Sequence, residues 1–139
     1  MSQYLFTLVM EVLTLMFKRN IESSTMFKYH PKCEKHRIIN LCFADDLFLF
    51  SHGNVASVVL IRDAIQEFKR CSGLTPSIPK CTVFFSNIPQ PIQQLIHLAF
   101  PFEVGSLPIR YLGVPLVSTC LIYWDCKVLV DRIRIKIDD

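Results

Sequence analysis

The sequence predicts an α+β fold, and three observations indicate it. Apolar residues recur at helical spacing in residues 4–17 and 55–71, so both stretches are predicted to be helices. Between them, the apolar run 41–50 (LCFADDLFLF) contains two adjacent carboxylates, Asp45 and Asp46, which suits a β-hairpin with the carboxylates at its tip. Short apolar segments separated by turn residues then follow the second helix.

The first predicted helix, residues 4–17, is amphipathic. One stripe is polar and the remaining surface is apolar, so we expect the helix to pack on a sheet. The polar stripe comprises Thr7, Glu11, Thr14 and Lys18, and the apolar positions are Leu5, Leu8, Val12, Leu15 and Met16. Its apolar run is too short to span a bilayer, and it has neither a preceding positive charge nor a cleavage site. The expectation is an intracellular protein with no membrane anchor.

The remaining elements follow from changes in period along the chain. Residues 21–37 are polar and are predicted to be an exposed loop with a short hairpin at its tip. Strands are expected at 38–43 and 47–51, and His52, Gly53 and Asn54 close them. The second helix, 55–71, places Val58, Ile61, Ile65 and Phe68 on one face, with Asn54 as its cap and Gly73 ending it.

The C-terminal half is predicted to contain a strand at 82–86, a helix at 91–100, strands around Gly113 at 109–117, and a last helix at 121–137. The order helix, strand, turn, strand, helix, strand matches a split βαβ sheet of the ferredoxin-like kind that lacks its first strand.

Length and composition indicate one folded domain. The chain has 139 residues, of which 51% are hydrophobic and 19% charged, which is too apolar for a disordered protein. The mean hydropathy of +0.35 is high and predicts exposed apolar surface, so we expect the chain to aggregate when made alone. The net charge of +3 permits contact with nucleic acid. The six cysteines form no C-x-x-C pair and are expected to be reduced and buried.

The Asp45-Asp46 pair has two readings on physical grounds. Ionised carboxylates are costly to bury unless they are paired, hydrogen-bonded or bound to a cation, and carboxylate oxygens are the ligands that Mg²⁺ prefers. The alternative is a solvated tight turn, because Asp tolerates turn geometry.

A zinc site is a competing metal hypothesis. His30, Cys33 and His36 recur at three-residue spacing, and Cys42 or His52 would be a fourth ligand. This spacing differs from the standard finger pattern, in which two close ligands pair with a second, distant pair.

Four sequence blocks resemble the reverse transcriptase of plant non-long-terminal-repeat (LINE-type) retrotransposons. They run in the family's order over nearly the whole chain. The blocks are residues 2–13 (SQYLFTLVMEVL), residues 40–51 around FADD, residues 68–81 (FKRCSGLTPSIPKC) and residues 107–116 (LPIRYLGVPL). The resemblance implies that residues 1–117 are a partial polymerase palm containing the FADD hairpin and the primer-grip segment. Residues 118–139 would then begin the thumb or connection helix.

The resemblance implies RNA-directed DNA polymerase activity, in which deoxynucleotides are added to a primer by Mg²⁺-dependent (or Mn²⁺-dependent) nucleotidyl transfer. Asp45 and Asp46 would be catalytic and would bind the metal, and Lys80 would protonate the departing pyrophosphate. The partners would be an RNA or DNA template with its primer, dNTPs, and an upstream polymerase segment that carries the first strand and its aspartate. Without that segment, the isolated chain is expected to be inactive.

Two further groups of residues are carried over from the family. Tyr111, Leu112 and Gly113 resemble the turn of the primer grip, and Arg132, Arg134 and Lys136 resemble the part of the thumb that follows the nucleic-acid backbone. A solvated helix face is the alternative for the three basic residues. For the whole chain, the alternatives are a non-catalytic nucleic-acid-binding remnant and a pseudogene product with no selected role.

Overall fold

The fold is mixed α+β, as predicted, in a computed structural model that describes residues 3–111, 113–117, 120 and 122–138. The helices are α1 (Gln3–Glu22), α2 (Val55–Ser72), α3 (Gln90–Ala99) and α4 (Tyr123–Asp138). The strands are β1 (Asn40–Phe43), β2 (Asp46–Leu49), β3 (Thr82–Phe84), β4 (Glu103–Gly105), β5 (Ile109–Tyr111) and β6 (Val114–Leu116). Short 3₁₀ turns lie at Glu34–His36 and Ile78–Lys80.

The six strands of the described residues form three two-stranded sheets, β1 with β2, β3 with β4, and β5 with β6. The predicted single sheet is therefore not seen among these residues. Each strand has only three or four residues, and such short strands offer few hydrogen bonds to a further neighbour.

The chain divides into two compact units. The first comprises residues 1–81 and 87–103, and the second comprises residues 82–86 and 104–139. Helices α1, α2 and α3 and the β1–β2 pair belong to the first unit, while the β5–β6 pair and α4 belong to the second.

The core of the first unit lies between α1 and α2. Its buried residues are Leu13, Phe17 and Ile21 of α1, Ile39 just before β1, and Ile61, Ala64 and Phe68 of α2. The prediction that α1 packs mainly on a sheet is wrong, because its main packing partner is helix α2. Leu47 and Leu49 of β2 add only partly buried contacts.

The buried face of α1 also differs from the predicted one. Of the predicted apolar positions, Met16 is partly buried against the core, whereas Leu5, Leu8, Val12 and Leu15 are exposed. The core face instead carries Leu13, Phe17 and Ile21. Apolar residues occur nearly all round this helix, so periodicity alone cannot select the face that meets α2.

Helix α2 follows its prediction closely. Val58, Ile61 and Phe68 are buried on one face, and Ile65 is partly buried beside them. Gly73 has a φ of 72°, and its N–H donates to the Lys69 carbonyl at 2.9 Å. The helix therefore ends with a glycine in the left-handed backbone conformation. Asn54 is at the expected N-cap position, but its side chain forms no capping hydrogen bond. Its Oδ1 atom is buried without a hydrogen-bond partner among the described residues.

The predicted loop at 21–37 is wrong at its start and at its tip. Helix α1 continues to Glu22 and buries Ile21, and the tip contains the Glu34–His36 turn in place of a hairpin. Lys28 anchors this segment, since its N–H donates to the fully buried Ser57 Oγ at 2.9 Å and its carbonyl accepts from the His52 N–H at 3.0 Å. These are tertiary contacts that local polarity cannot reveal.

An ion pair joins α1 to α2 at the surface. Arg19 Nη2 lies 2.5 Å from Glu67 Oε2. The hydrogen bond from Arg19 lowers the pKa of Glu67 below its ordinary value of 4.5. A carboxyl whose pKa is lower in the folded state stabilises the fold at pH values above its ordinary pKa. That stabilisation is lost as the pH falls through the lowered pKa. Solvent screens the pair, so its effect is small.

None of the six cysteines is buried, which corrects the prediction that they would be. Cys42, Cys71 and Cys120 are exposed, and Cys33, Cys81 and Cys126 are half-buried. All six are free thiols. Among the described residues, no helix has both the length and the apolar character needed to cross a bilayer.

Candidate functional site

The β1–β2 pair is an antiparallel hairpin with Asp45 in its turn. Asn40 pairs with Leu49, and Phe43 pairs with Asp46 at the end of the ladder. This register leaves a two-residue turn, Ala44 and Asp45, and makes Asp46 the first residue of β2. The hairpin predicted from the apolar run is confirmed, with the second strand starting one residue earlier than expected.

The turn requires an unusual backbone at Ala44. Its φ is 50°, in the left-handed region that two-residue hairpin turns need at their first central position. Glycine or asparagine normally takes such positions, since a Cβ there costs roughly 1–2 kcal/mol. The turn that presents Asp45 is therefore held in a strained conformation by its flanking strands.

Replacing Ala44 with glycine is expected to stabilise the hairpin by up to about 1 kcal/mol, because the relief of left-handed strain exceeds the added chain entropy of glycine. Ala44→Val should destabilise it by about 1–2 kcal/mol, because a β-branched side chain tolerates a positive φ less well than alanine. Urea denaturation of the two variants beside the wild type measures both changes. Equal midpoints for all three proteins would contradict the strained turn.

Both carboxylates at the hairpin tip face solvent. Asp45 and Asp46 are exposed, and neither forms an ion pair with any described residue. Phe43, which pairs with Asp46, is itself 57% exposed. The tip thus presents two adjacent carboxylates in solvent beside an exposed aromatic ring. This exposure is also what the solvated tight turn predicts.

The charge of Asp46 reaches the neighbouring Cys42. Partial burial, and after it the negative charge of Asp46, raise the pKa of the Cys42 thiol above its ordinary value. The Cys42 Sγ–H donates to the Ala44 carbonyl at 3.7 Å. Cys42 is therefore held as a neutral thiol, which makes it a weaker metal ligand than a thiolate.

A small cavity lies between α1 and the hairpin. Its volume is about 150 Å³, and its lining residues are Phe6, Thr7, Met10, Glu11 and Thr14 of α1 with Cys42 and Ala44 of the hairpin. Asn40 Nδ2 donates to Thr14 Oγ1 at 2.9 Å, which ties the hairpin to the helix. Glu11 is thereby placed on the same cavity as the turn, a juxtaposition that sequence reasoning missed because the residues are far apart in the chain.

Metal-binding clusters are absent from the part of the chain that the structure describes. No three or more His, Cys, Asp or Glu side chains are grouped there to hold one ion. Glu11 therefore does not complete a three-carboxylate site with Asp45 and Asp46. The same finding applies to the zinc hypothesis, since His30, Cys33 and His36 form no such group with Cys42 or His52.

Lys80 is the last residue of the Ile78–Lys80 turn and is exposed. Its N–H donates to the Ser77 carbonyl at 2.9 Å, so the backbone of the turn is fixed while the side chain remains in solvent. No described carboxylate forms an ion pair with it.

The segment resembling a primer grip is a second hairpin. Tyr111 pairs with Val114 in the antiparallel β5–β6 ladder, and Gly113 in the turn has a φ of 84° that favours glycine. Leu112 lies outside the described residues. The predicted strands around Gly113 are confirmed.

The basic residues near the C-terminus lie on α4, as predicted. Arg134 and Lys136 are exposed, and the side chain of Arg132 lies outside the described residues. Ile133, Ile135 and Ile137 alternate with them and are exposed as well. Two-residue spacing turns successive side chains to different sides of a helix, so α4 does not gather these cations into one stripe.

In a comparison with known protein families, no family model matches the chain.

Proposed function

We propose that this chain is a segment of an RNA-directed DNA polymerase of the plant LINE-type retrotransposon class. The observation that carries the proposal is the β1–β2 register, which puts Asp45 in a two-residue turn and Asp46 beside it, both exposed and without ion pairs among the described residues. Four sequence blocks in the family's order add support. Under this proposal, the elements around the hairpin belong to a ferredoxin-like palm, and the β5–β6 hairpin is its primer grip.

The chemistry of the hairpin tip suits a divalent cation. Two neighbouring carboxylates repel each other, and a bound cation removes that repulsion while its open positions accept substrate phosphates. Asp45 would bind Mg²⁺ or Mn²⁺ directly, and Asp46 would be its neighbour. In this reaction the primer 3′-hydroxyl would attack the α-phosphate of a dNTP and lose its proton to solvent, while pyrophosphate leaves and receives a proton from Lys80. The cation would supply neutralisation of the phosphate charge.

The proposal limits what the chain does alone. Nucleotidyl transfer with two metal ions needs carboxylates on both sides of the two cations. The described residues group no third ligand with Asp45 and Asp46. We therefore expect weak binding of a single cation, with a Kd of roughly 10⁻⁴–10⁻³ M as in the weakest protein calcium sites. We expect no nucleotide addition by the chain alone.

The test is a Mn²⁺ titration followed by electron paramagnetic resonance, with Mg²⁺ as competitor. The wild-type chain should bind one Mn²⁺ that Mg²⁺ displaces, and the Asp45→Asn, Asp46→Asn double variant should lose that binding. Asp63→Asn is the matched control, because Asp63 is an exposed aspartate on α2 that pairs with Arg62. Equal binding by the wild type and the double variant, with both folded by circular dichroism, would overturn the proposal.

Primer extension on an RNA template, together with template-primer binding, distinguishes an active polymerase from a binding remnant and from a product with no selected role. Incorporation by the wild-type chain alone, lost in the double variant, would show that the pair suffices for catalysis and would correct the expected inactivity. Salt-dependent binding of template-primer that Asp45→Asn leaves unchanged, without Mn²⁺ binding, would identify a non-catalytic nucleic-acid-binding remnant. A chain that neither folds nor binds would be a product with no selected role.

A further inference from the structure

A second cavity lies in the unit formed by residues 82–86 and 104–139. Its volume is about 200 Å³, and its lining residues are Pro108, Ile109 and Arg110, Pro115 of β6, and Trp124 of α4. Helix α4 packs against β6, which brings Trp124 to the β5–β6 hairpin. Pockets for drug-sized ligands measure roughly 300–1,000 Å³, so this cavity suits one planar ring better than a larger molecule.

Trp124 is the only tryptophan of the chain, and its side chain is 67% exposed. An exposed indole offers a large flat surface on which an aromatic ligand can stack. Two neighbouring side chains contact the ring. The Tyr123 ring meets it edge-on at 5.6 Å between centroids, and Lys127 Nζ lies 4.8 Å from the Trp124 ring centroid.

The charges at this cavity are positive. Arg110 lines it and is exposed, while Lys127 stands over the Trp124 ring, and none of the lining residues that the structure describes is a carboxylate. An aromatic platform combined with guanidinium and ammonium groups is the recurring chemistry of single-strand nucleic-acid binding, because bases stack on the ring and phosphates meet the cations.

We propose that the Trp124 cavity binds one base of a single-stranded nucleic acid, with the base stacked on Trp124 and an adjacent phosphate held by Arg110. The choice of nucleic acid rests on the proposed polymerase function, whereas the stacking site itself rests on the geometry of this unit. An aromatic lining residue such as Trp124 also suits a proline-rich peptide. The positive rim favours the anionic strand.

The sole tryptophan makes the site directly observable. Stacking of a base on Trp124 should quench the intrinsic fluorescence of the full chain when a short oligothymidylate or oligouridylate is added. Trp124→Ala should weaken the affinity for labelled oligothymidylate, measured by fluorescence anisotropy, by about 5- to 150-fold, while Trp124→Phe keeps part of it. Arg110→Gln should weaken binding and reduce the slope of log affinity against log salt by about one.

Controls separate the site from general effects. Tyr4→Ala removes an exposed aromatic ring from α1 in the other unit and should leave oligonucleotide affinity unchanged. Inorganic phosphate should not quench Trp124, because it offers no ring to stack. The exposure of Trp124 makes its variants compatible with folding, which circular dichroism checks.

Three results would overturn the inference. They are unchanged oligonucleotide affinity in Trp124→Ala, absence of any oligonucleotide binding, and quenching by a proline-rich peptide alone.

The Mn²⁺ titration distinguishes failure of the stacking-site proposal from failure of the polymerase proposal. Mn²⁺ binding that depends on Asp45 and Asp46 would stand when the Trp124 result is negative. Quenching by oligonucleotide without Mn²⁺ binding would instead support the stacking site and count against the polymerase.

Discussion

Phe17→Ala is expected to destabilise the chain by about 3–5 kcal/mol, which is a large share of the roughly 5–15 kcal/mol by which ordinary domains are stable. Phe17 is 1% exposed and is the largest fully buried side chain among the described residues, in the core cluster shared by α1 and α2. Truncation there removes the apolar ring and leaves a cavity that two packed helices cannot close. Urea denaturation followed by circular dichroism measures the change.

Leu8→Ala is the matched control for Phe17. It lies on the same helix but is 65% exposed, so its removal should change the free energy of unfolding by no more than about 0.5 kcal/mol. If Leu8→Ala proved as damaging as Phe17→Ala, the assignment of the buried face of α1 would be wrong.

Ser57→Ala is expected to destabilise the chain by about 1–3 kcal/mol, because it leaves the N–H of Lys28 without its acceptor. The Ser57 hydroxyl is fully buried. It accepts from the Lys28 N–H at 2.9 Å and donates to the Lys28 carbonyl at 3.4 Å, so one side chain fixes a loop on α2. Urea denaturation gives the magnitude, and amide hydrogen exchange at Lys28 should become faster.

Ser23→Ala provides the comparison for Ser57. The Ser23 hydroxyl donates to the Asn20 carbonyl at 3.0 Å but is exposed, so water replaces the bond at little cost. Unchanged protection of the Lys28 amide in Ser57→Ala would show that this hydroxyl does not anchor the loop.

Helix α2 and the Asp45-Asp46 hairpin were predictable because their signals are local. A clear apolar face and a terminal glycine define α2, and two short apolar strands flank the carboxylates. The loop at 21–37 was not predictable, because its conformation depends on Ser57, which follows it in the chain. The face of α1 was missed because apolar residues surround that helix, and only the shape of α2 selects among them.

The same distinction applies to the candidate sites. The placement of Asp45 and Asp46 at a hairpin tip follows from adjacent residues. The approach of Glu11 to that hairpin, and of Trp124 to Arg110 and Pro115, arises from packing between separate elements. A regular sequence pattern can also fail to produce a site. The spacing of His30, Cys33 and His36 suggested zinc, but these residues form no metal-binding group in the described part of the chain.

The uncovered apolar side of α1, which carries Tyr4, Leu5, Leu8, Val12 and Leu15, links the folding of the chain to its solubility. Sulfate and osmolytes strengthen apolar association by being excluded from protein surfaces, and cooling weakens it. The same hydrophobic effect acts on the core around Phe17 and on the exposed apolar side of α1. Solvents that tighten the fold will therefore also draw copies of the chain together, and solvents that keep the copies apart will loosen the contact between α1 and α2.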